Sequence, residues 1–273
     1  MFQDFLREKQ YLINVSPRTL EWYEQALGWL TVAKPKDKDL KNLVIRMREK
    51  GLKARSINSY RTAINSYMHW TTGVETPCSP QCNHPRIPRM RDEQRVPSTF
   101  KIADVQKLIA WKPKRFCDRR LHTMLLTLAD TGCRIDEVLA LKWSDVDFDN
   151  LLITVIGKED KQRRIPFSLE LRKRLFKWKG QHQLVFSTRD GKKLGRRNML
   201  RDTKRVCRNL GIQAPARTIH AMRHTFAVTY LRRGGSVFHL QKALGHSTLD
   251  MTRRYANLLT DDLQKVHESV SLA

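Results

Sequence analysis

The sequence predicts a mainly α-helical protein with a small antiparallel β-sheet, divided into two domains. Three observations carry that expectation. Apolar residues recur at helical spacing over residues 1–72 and over most of 99–258. Between Val146 and Phe167 this period gives way to short β-rich runs separated by turn residues. Residues 73–98 hold Pro77, Pro80, Pro85, Pro88 and Pro97 with Arg86, Arg89, Arg91 and Arg95, and read as a linker between the two domains. A chain of 273 residues is long enough for two cores.

Charge narrows the class of partner. Lys and Arg total 52 against 27 Asp and Glu, a net charge of +25 and a pI near 10.3. Such a surface suits a polyanion, because each cation that neutralises a phosphate releases condensed counterions. A generic basic surface, as on a ribosomal or membrane-surface protein, has the same charge. No apolar run reaches the roughly 18 residues of a membrane span, and the N-terminal stretch lacks the pattern of a signal peptide. Five scattered cysteines, an odd number, suit a reducing interior. The expectation is a cytoplasmic, nucleoid-associated protein.

In chain order, Phe2, Phe5 and Leu6 begin a first helix, which Tyr11 and Leu12 extend. Ser16-Pro17 marks the start of a second, with Leu20, Tyr23, Leu27 and Leu30 on one face. Asp39 precedes a third, carrying Leu40, Leu43, Val44 and Met47 and ending near Gly51. The fourth carries Ile57, Tyr60, Ile64, Tyr67 and Met68. By itself this is any small helical bundle.

The second domain opens near Thr99. Val105, Leu108 and Ile109 line one helix, and Leu121, Met124, Leu125 and Leu128 line a buried one. Gly132 suits its C-terminus, and Arg134 opens the next helix, whose apolar face is Ile135, Val138, Leu139 and Leu141. Then V-D-F, L-L-I-T-V-I and R-R-I-P-F form a three-stranded meander, with Lys158 in its second turn. A helix follows over Leu169–Trp178, and residues 188–211 are strongly basic. The stretch Thr218–Leu258 reads as three helices, broken at Gly234-Gly235 and at Gly245, with Ser247 and Asp250 resembling a capping box. His220, Arg223, His246 and Tyr255 fall near their starts and turns.

Guanidinium groups clamp phosphate oxygens with paired donors and stay ionised. A tyrosine hydroxyl can act as nucleophile while histidine or lysine moves protons. Singly these residues are ordinary: H-x-x-R is usually a surface feature, Tyr255 has the spacing of a core residue, and His220 with His224 lacks the following Glu of a zinc-protease helix. Together, H-x-x-R, G-H-S and a tyrosine nine residues after His246 resemble the C-terminal signature of the tyrosine recombinases, the phage-integrase family. T-G-C-R-I-D-E, with Arg134 and Glu137, resembles the family's first arginine motif.

The resemblance implies a two-domain, Xer-like site-specific recombinase. It would have a helical N-terminal core-binding domain over 1–72, a Pro/Arg-rich linker over 73–98, and an α+β catalytic domain over 99–273 with a C-terminal tail. It implies that Tyr255 attacks a phosphodiester to give a 3′-phosphotyrosyl enzyme. Arg134 and Arg223 would stabilise phosphate charge, with Glu137 supporting. His220 would assist proton transfer from Tyr255, His246 would hydrogen-bond the phosphate, and Lys158, with Lys161 a nearby competitor, would protonate the leaving oxygen. No cofactor or metal is implied. Cys78, Cys82 and His84, with His69 a fourth, could ligate zinc, but their spacing is looser than usual zinc pairs and free thiols are the expectation. DNA contacts are expected from Arg55, Arg61, Arg196, Arg197 and Arg201. The expected partner is double-stranded DNA bearing recombination sites, bound by a homotetramer on two duplexes that is monomeric in solution. A type IB topoisomerase shares the chemistry without strand exchange, and a non-catalytic DNA-binding regulator shares only the charge.

Overall fold

The computed structural model describes residues 2–74, 84–92, 97–157, 162–246 and 248–256. The chain divides into two compact units, Met1–Gln94 and Arg95–Ala273.

The first unit holds α1 (Gln3–Tyr11), α2 (Pro17–Leu27), α3 (Asp37–Glu49) and α4 (Ala54–Trp70). Ser16 caps α2 through its hydroxyl, which accepts the Thr19 N–H, and Pro17 takes the first helical position, where no N–H is needed. α3 begins earlier than Asp39 suggests. Asp39 lies inside the first turn, where its carboxylate accepts the Lys36 N–H at 2.9 Å. Phe5 is fully buried and meets Tyr23, Tyr67 and Trp70 edge-on at 5.2, 5.4 and 5.6 Å. Leu27, Leu40, Leu43, Met47, Ile57 and Ile64 complete this core.

Part of the proline- and arginine-rich stretch belongs to this unit. Asn65 accepts the Ile87 N–H at 2.9 Å and donates to the Ile87 carbonyl at 3.0 Å. Asn58 treats Met90 the same way, both bonds at 2.9 Å. Two side-chain amides on α4 thus act as a strand would, satisfying a backbone that has no sheet to join. Ile87 is driven into the core at 2% exposure, so this part of the expected linker is packed structure. Cys78 and Cys82 lie outside the described residues. His69 and His84, the other two of that set, have ring centroids 5.5 Å apart.

The second unit contains α5 (Ile102–Ala110), α6 (Phe116–Thr131), α7 (Ile135–Ala140) and strands β1 (Val146–Asp147), β2 (Leu152–Ile156) and β3 (Gln162–Pro166). α8 (Leu169–Trp178), α9 (Arg196–Asn209), α10 (Thr218–Arg232), α11 (Val237–Leu244) and α12 (Leu249–Ala256) follow. The strands form an antiparallel sheet in the order β1-β2-β3, with Ile153 opposite both Val146 and Ile165. That register places three apolar side chains together on the buried face. α6 and α10 run through the core side by side. Gly132 ends α6 with a left-handed φ of 63°, and a Cβ there would lie 2.3 Å from the Phe226 ring.

Candidate active site

The turn after α6 builds the first wall of a cleft of about 260 Å³, wholly within the second unit. Arg134 is the N-cap of α7, and its backbone N–H donates to Glu137 Oε2 at 2.7 Å, the reach-back half of a capping box. The same carboxylate receives Arg134 Nη1 at 3.0 Å, so cap and side chain are set by one residue. Arg134 Nη2 then meets the Gly245 carbonyl at 3.3 Å. Its side chain remains 41% exposed, open to a ligand in the cleft.

Arg223 comes from the middle of α10 and is only 8% exposed. Its Nη1 donates to the Gly132 carbonyl at 2.7 Å and its Nη2 to the Leu244 carbonyl at 2.6 Å. Burial and the nearby Arg134 charge lower its pKa to about 10, so it stays cationic at neutral pH.

His246 sits in the turn between α11 and α12. Its Nε2 lies 3.2 Å from Arg223 Nη2, and its Nδ1 lies 2.9 Å from the Thr252 hydroxyl. A guanidinium can only donate, so Nε2 accepts and the proton of the neutral ring sits on Nδ1, pointed at Thr252. Burial, then the Arg223 and Arg134 charges, lower the His246 pKa to about 4. His220, one turn before His224 on α10, is more exposed, with Arg196 Nη2 3.5 Å from its Nδ1. Its pKa is lowered by desolvation and by Arg196, Arg217 and Arg223.

Tyr255 reaches the cleft from α12 and is 4% exposed, packed with Ala227, Leu231, Leu240 and Leu244. Its hydroxyl is 2.8 Å from His224 Nδ1.

Five expected residues therefore line one cleft: Arg134, His220, Arg223, His246 and Tyr255. Lys158 and its competitor Lys161 lie outside the described residues, as does Ser247. Arg55, Arg196, Arg197 and Arg201 are exposed. Arg61 is half-buried and donates its Nε to the Ile87 carbonyl at 2.9 Å, within the first unit. Among the described residues no three His, Cys, Asp or Glu side chains gather as a metal site, and no helix is long and apolar enough to cross a membrane.

Three contributors leave no clear mark in the sequence. Arg163 on β3 donates to both Glu137 oxygens, at 2.9 and 2.8 Å, and to the Ala243 carbonyl at 2.9 Å. Burial alone would raise the Glu137 pKa, but the bonds from Arg163 and Arg134 outweigh it and hold the carboxyl below its usual range. Thr252 orients His246, and His224 meets the tyrosine. The i, i+4 spacing of His220 and His224 is visible in the sequence, but not which of the two faces the phenol.

Two guanidiniums beside a buried phenol are groups suited to phosphodiester transesterification, which exchanges one ester oxygen for another. The phage integrase family matches residues 99–261. Tyrosine recombinase XerC of Xanthomonas campestris pv. campestris (strain B100) is 27% identical, over 98% of this chain and 87% of its own. Tyrosine recombinase XerA of Pyrococcus furiosus is 30% identical over 87% of this chain and 82% of its own. In fold, the Tn1549 transposon integrase in complex with transposon right end DNA superposes with a TM-score of 0.78 at 20% identity, covering 97% of each chain. The chain belongs to the phage integrase family: it is a tyrosine recombinase, an enzyme of site-specific DNA recombination.

Proposed function

We propose that this recombinase cuts and rejoins double-stranded DNA through Tyr255. The phenol oxygen attacks a phosphodiester, forming a 3′-phosphotyrosyl bond and releasing a 5′-hydroxyl. A 5′-hydroxyl from a second duplex then reverses the step, completing strand exchange. The observation that carries this reading is that the Tyr255 phenol shares one cleft with Arg134 and Arg223. Arg134, anchored at one side and open at the other, and Arg223, fixed to two carbonyls, are preorganised for the charge that builds on the non-bridging oxygens. His246 hydrogen-bonds the same phosphate, and Lys158 protonates the leaving 5′ oxygen. The ester energy is retained in the phosphotyrosine, so neither ATP nor a metal enters the cycle.

Arg55, Arg196, Arg197 and Arg201 contact the DNA backbone, and the protein works on nucleoid DNA in the cytoplasm. Strand exchange requires four subunits on two duplexes, assembled from monomers. In the tail, Leu259, Leu263 and Val266 recur at helical spacing and suit docking onto a neighbouring subunit.

Covalent capture tests this function. A pool of randomised duplexes, each nicked so that the cleaved end diffuses away, should leave DNA attached to the wild-type protein. Tyr255→Phe should bind the recovered sequences equally well and capture none. An adduct on the Phe variant would assign the nucleophile elsewhere, and relaxation without exchange between two duplexes would replace recombination by a topoisomerase activity.

A further inference from the structure

The resemblance gives His220 the handling of the Tyr255 proton, but His220 does not meet the phenol. It lies at the exposed end of the cleft, and its Nδ1 faces Arg196 at 3.5 Å. His246 has both ring nitrogens engaged, one by Arg223 and one by Thr252. His224, one turn deeper on α10 than His220, has its Nδ1 2.8 Å from the Tyr255 hydroxyl. We propose that His224 holds the Tyr255 hydroxyl and accepts its proton as the phenol oxygen attacks phosphorus. The proposal rests on the reading of Tyr255 as nucleophile.

Solvent exclusion makes such a partner necessary. At 4% exposure the phenol has little contact with water, so bulk solvent is poorly placed to take its proton. The receiving group must be on the protein and within hydrogen-bond reach. The titratable and charged groups around His224 are Arg217 at the cap of α10, His220 and Arg223 on that helix, Tyr255 on α12 and His246 in the turn before it. Burial, then His220, Arg223 and Arg217, lower its pKa to about 4, so the ring is neutral and can offer a lone pair. An imidazole that resists protonation this strongly is a weak base in the empty cleft. A bound phosphodiester brings a negative charge beside the same cations and raises the affinity of His224 for a proton. Substrate binding would thus switch the base on. The step balances: the P–Oη bond forms, the P–O5′ bond breaks, and the phenol proton moves to His224. The departing O5′ takes its own proton from the general acid, Lys158. On religation each proton returns.

Two measurements test the proposal, one of them without DNA. In the free protein, imidazole nitrogen NMR should show the His224 Nδ1 resonance move in Tyr255→Phe; an unchanged resonance would overturn the hydrogen bond. With nicked duplexes recovered by the wild-type protein, single-turnover adduct formation is then followed against pH. His224→Ala should bind those duplexes normally and cleave about 10²-fold more slowly. Its rate should climb about tenfold per pH unit, because attack then depends on the phenol being ionised beforehand, while the wild-type profile stays nearly flat. His224→Asn, which keeps a hydrogen-bonding group near the Nδ1 position, should show the same steep profile and decides the matter if the Ala variant misfolds. His220→Ala should be slowed yet keep the wild-type profile. If the steep profile belongs to the His220 variant and the His224 variants stay flat, His220 is the base and this assignment is overturned. If the wild-type protein captures no duplex, the reading of Tyr255 itself fails, and the NMR result still reports on the hydrogen bond.

Discussion

Glu137 is held between two guanidiniums, with Arg134 in front and Arg163 behind, and is 6% exposed in its side chain. Taking the charge from such a carboxylate leaves Arg163, itself 12% exposed, without its counterion. Glu137→Gln should therefore lower stability by about 3 kcal/mol near neutral pH, read as a shift in the denaturant midpoint. Because the folded-state pKa is depressed, its stabilising contribution is complete above the unfolded carboxyl pKa. It is lost as pH falls through the folded value. The gap between wild-type and Gln proteins should accordingly narrow on acidification, and a gap independent of pH would contradict the pairing. Legibility at this scale is uneven. Arg134 and Glu137 are visible because their interaction is local, three residues apart in a helix start. Arg163 resembles any basic residue on a strand. His224 is visible as a neighbour of Arg223, but its role depends on where α12 returns, which local spacing does not reveal.

Elements meet at helix ends in this fold, and Gly132 marks a tight junction of this kind. Its left-handed φ excludes a side chain once, and the Phe226 ring, 2.3 Å from where a Cβ would stand, excludes it again. Gly132→Ala should cost about 1–3 kcal/mol from backbone conformation, with the steric clash added. It should also slow adduct formation, since the Gly132 carbonyl anchors Arg223 at 2.7 Å. Denaturant midpoints and single-turnover capture on the same variant check both, and an Ala variant of wild-type stability would refute the junction's role. The glycine signal is legible, as are the three-stranded meander and the three final helices, because turns and periodicity are local properties. The start of α3 is less so: Asp39 looks like a boundary, yet it serves as the residue that reaches back to the cap. Residues 84–92 look like linker because their backbone is satisfied by Asn58 and Asn65 side chains, an arrangement that leaves no periodic trace.

For the molecule as a whole, the +25 charge is the dominant long-range property. α9 illustrates its layout: Met199, Thr203, Val206 and Cys207 are buried, while Arg196, Arg197, Arg201, Lys204 and Arg208 are exposed. If about 6–10 phosphates are contacted, affinity for DNA should fall about 10³–10⁵-fold between about 50 and 200 mM salt. A titration by fluorescence anisotropy measures the slope. A flat response would show that this charge lies outside the interface. The sign of the charge is evident from composition; its distribution over α9 requires the fold, because burial of one helical face decides which cations remain outside.

Both candidate phosphate-binding arginines are moored to main-chain oxygens: those of Gly132 and Leu244 for Arg223, and that of Gly245 for Arg134. A carbonyl group is common to every amino acid. No single substitution can delete these acceptors; it can only displace them by disturbing the helix end that presents them. Evolution can therefore rewrite the side chains of α11 freely, within the limits of packing, while the arginines keep their moorings. The site's vulnerability to mutation is concentrated instead in the glycines that shape the two helix ends and in the buried carboxylate of Glu137.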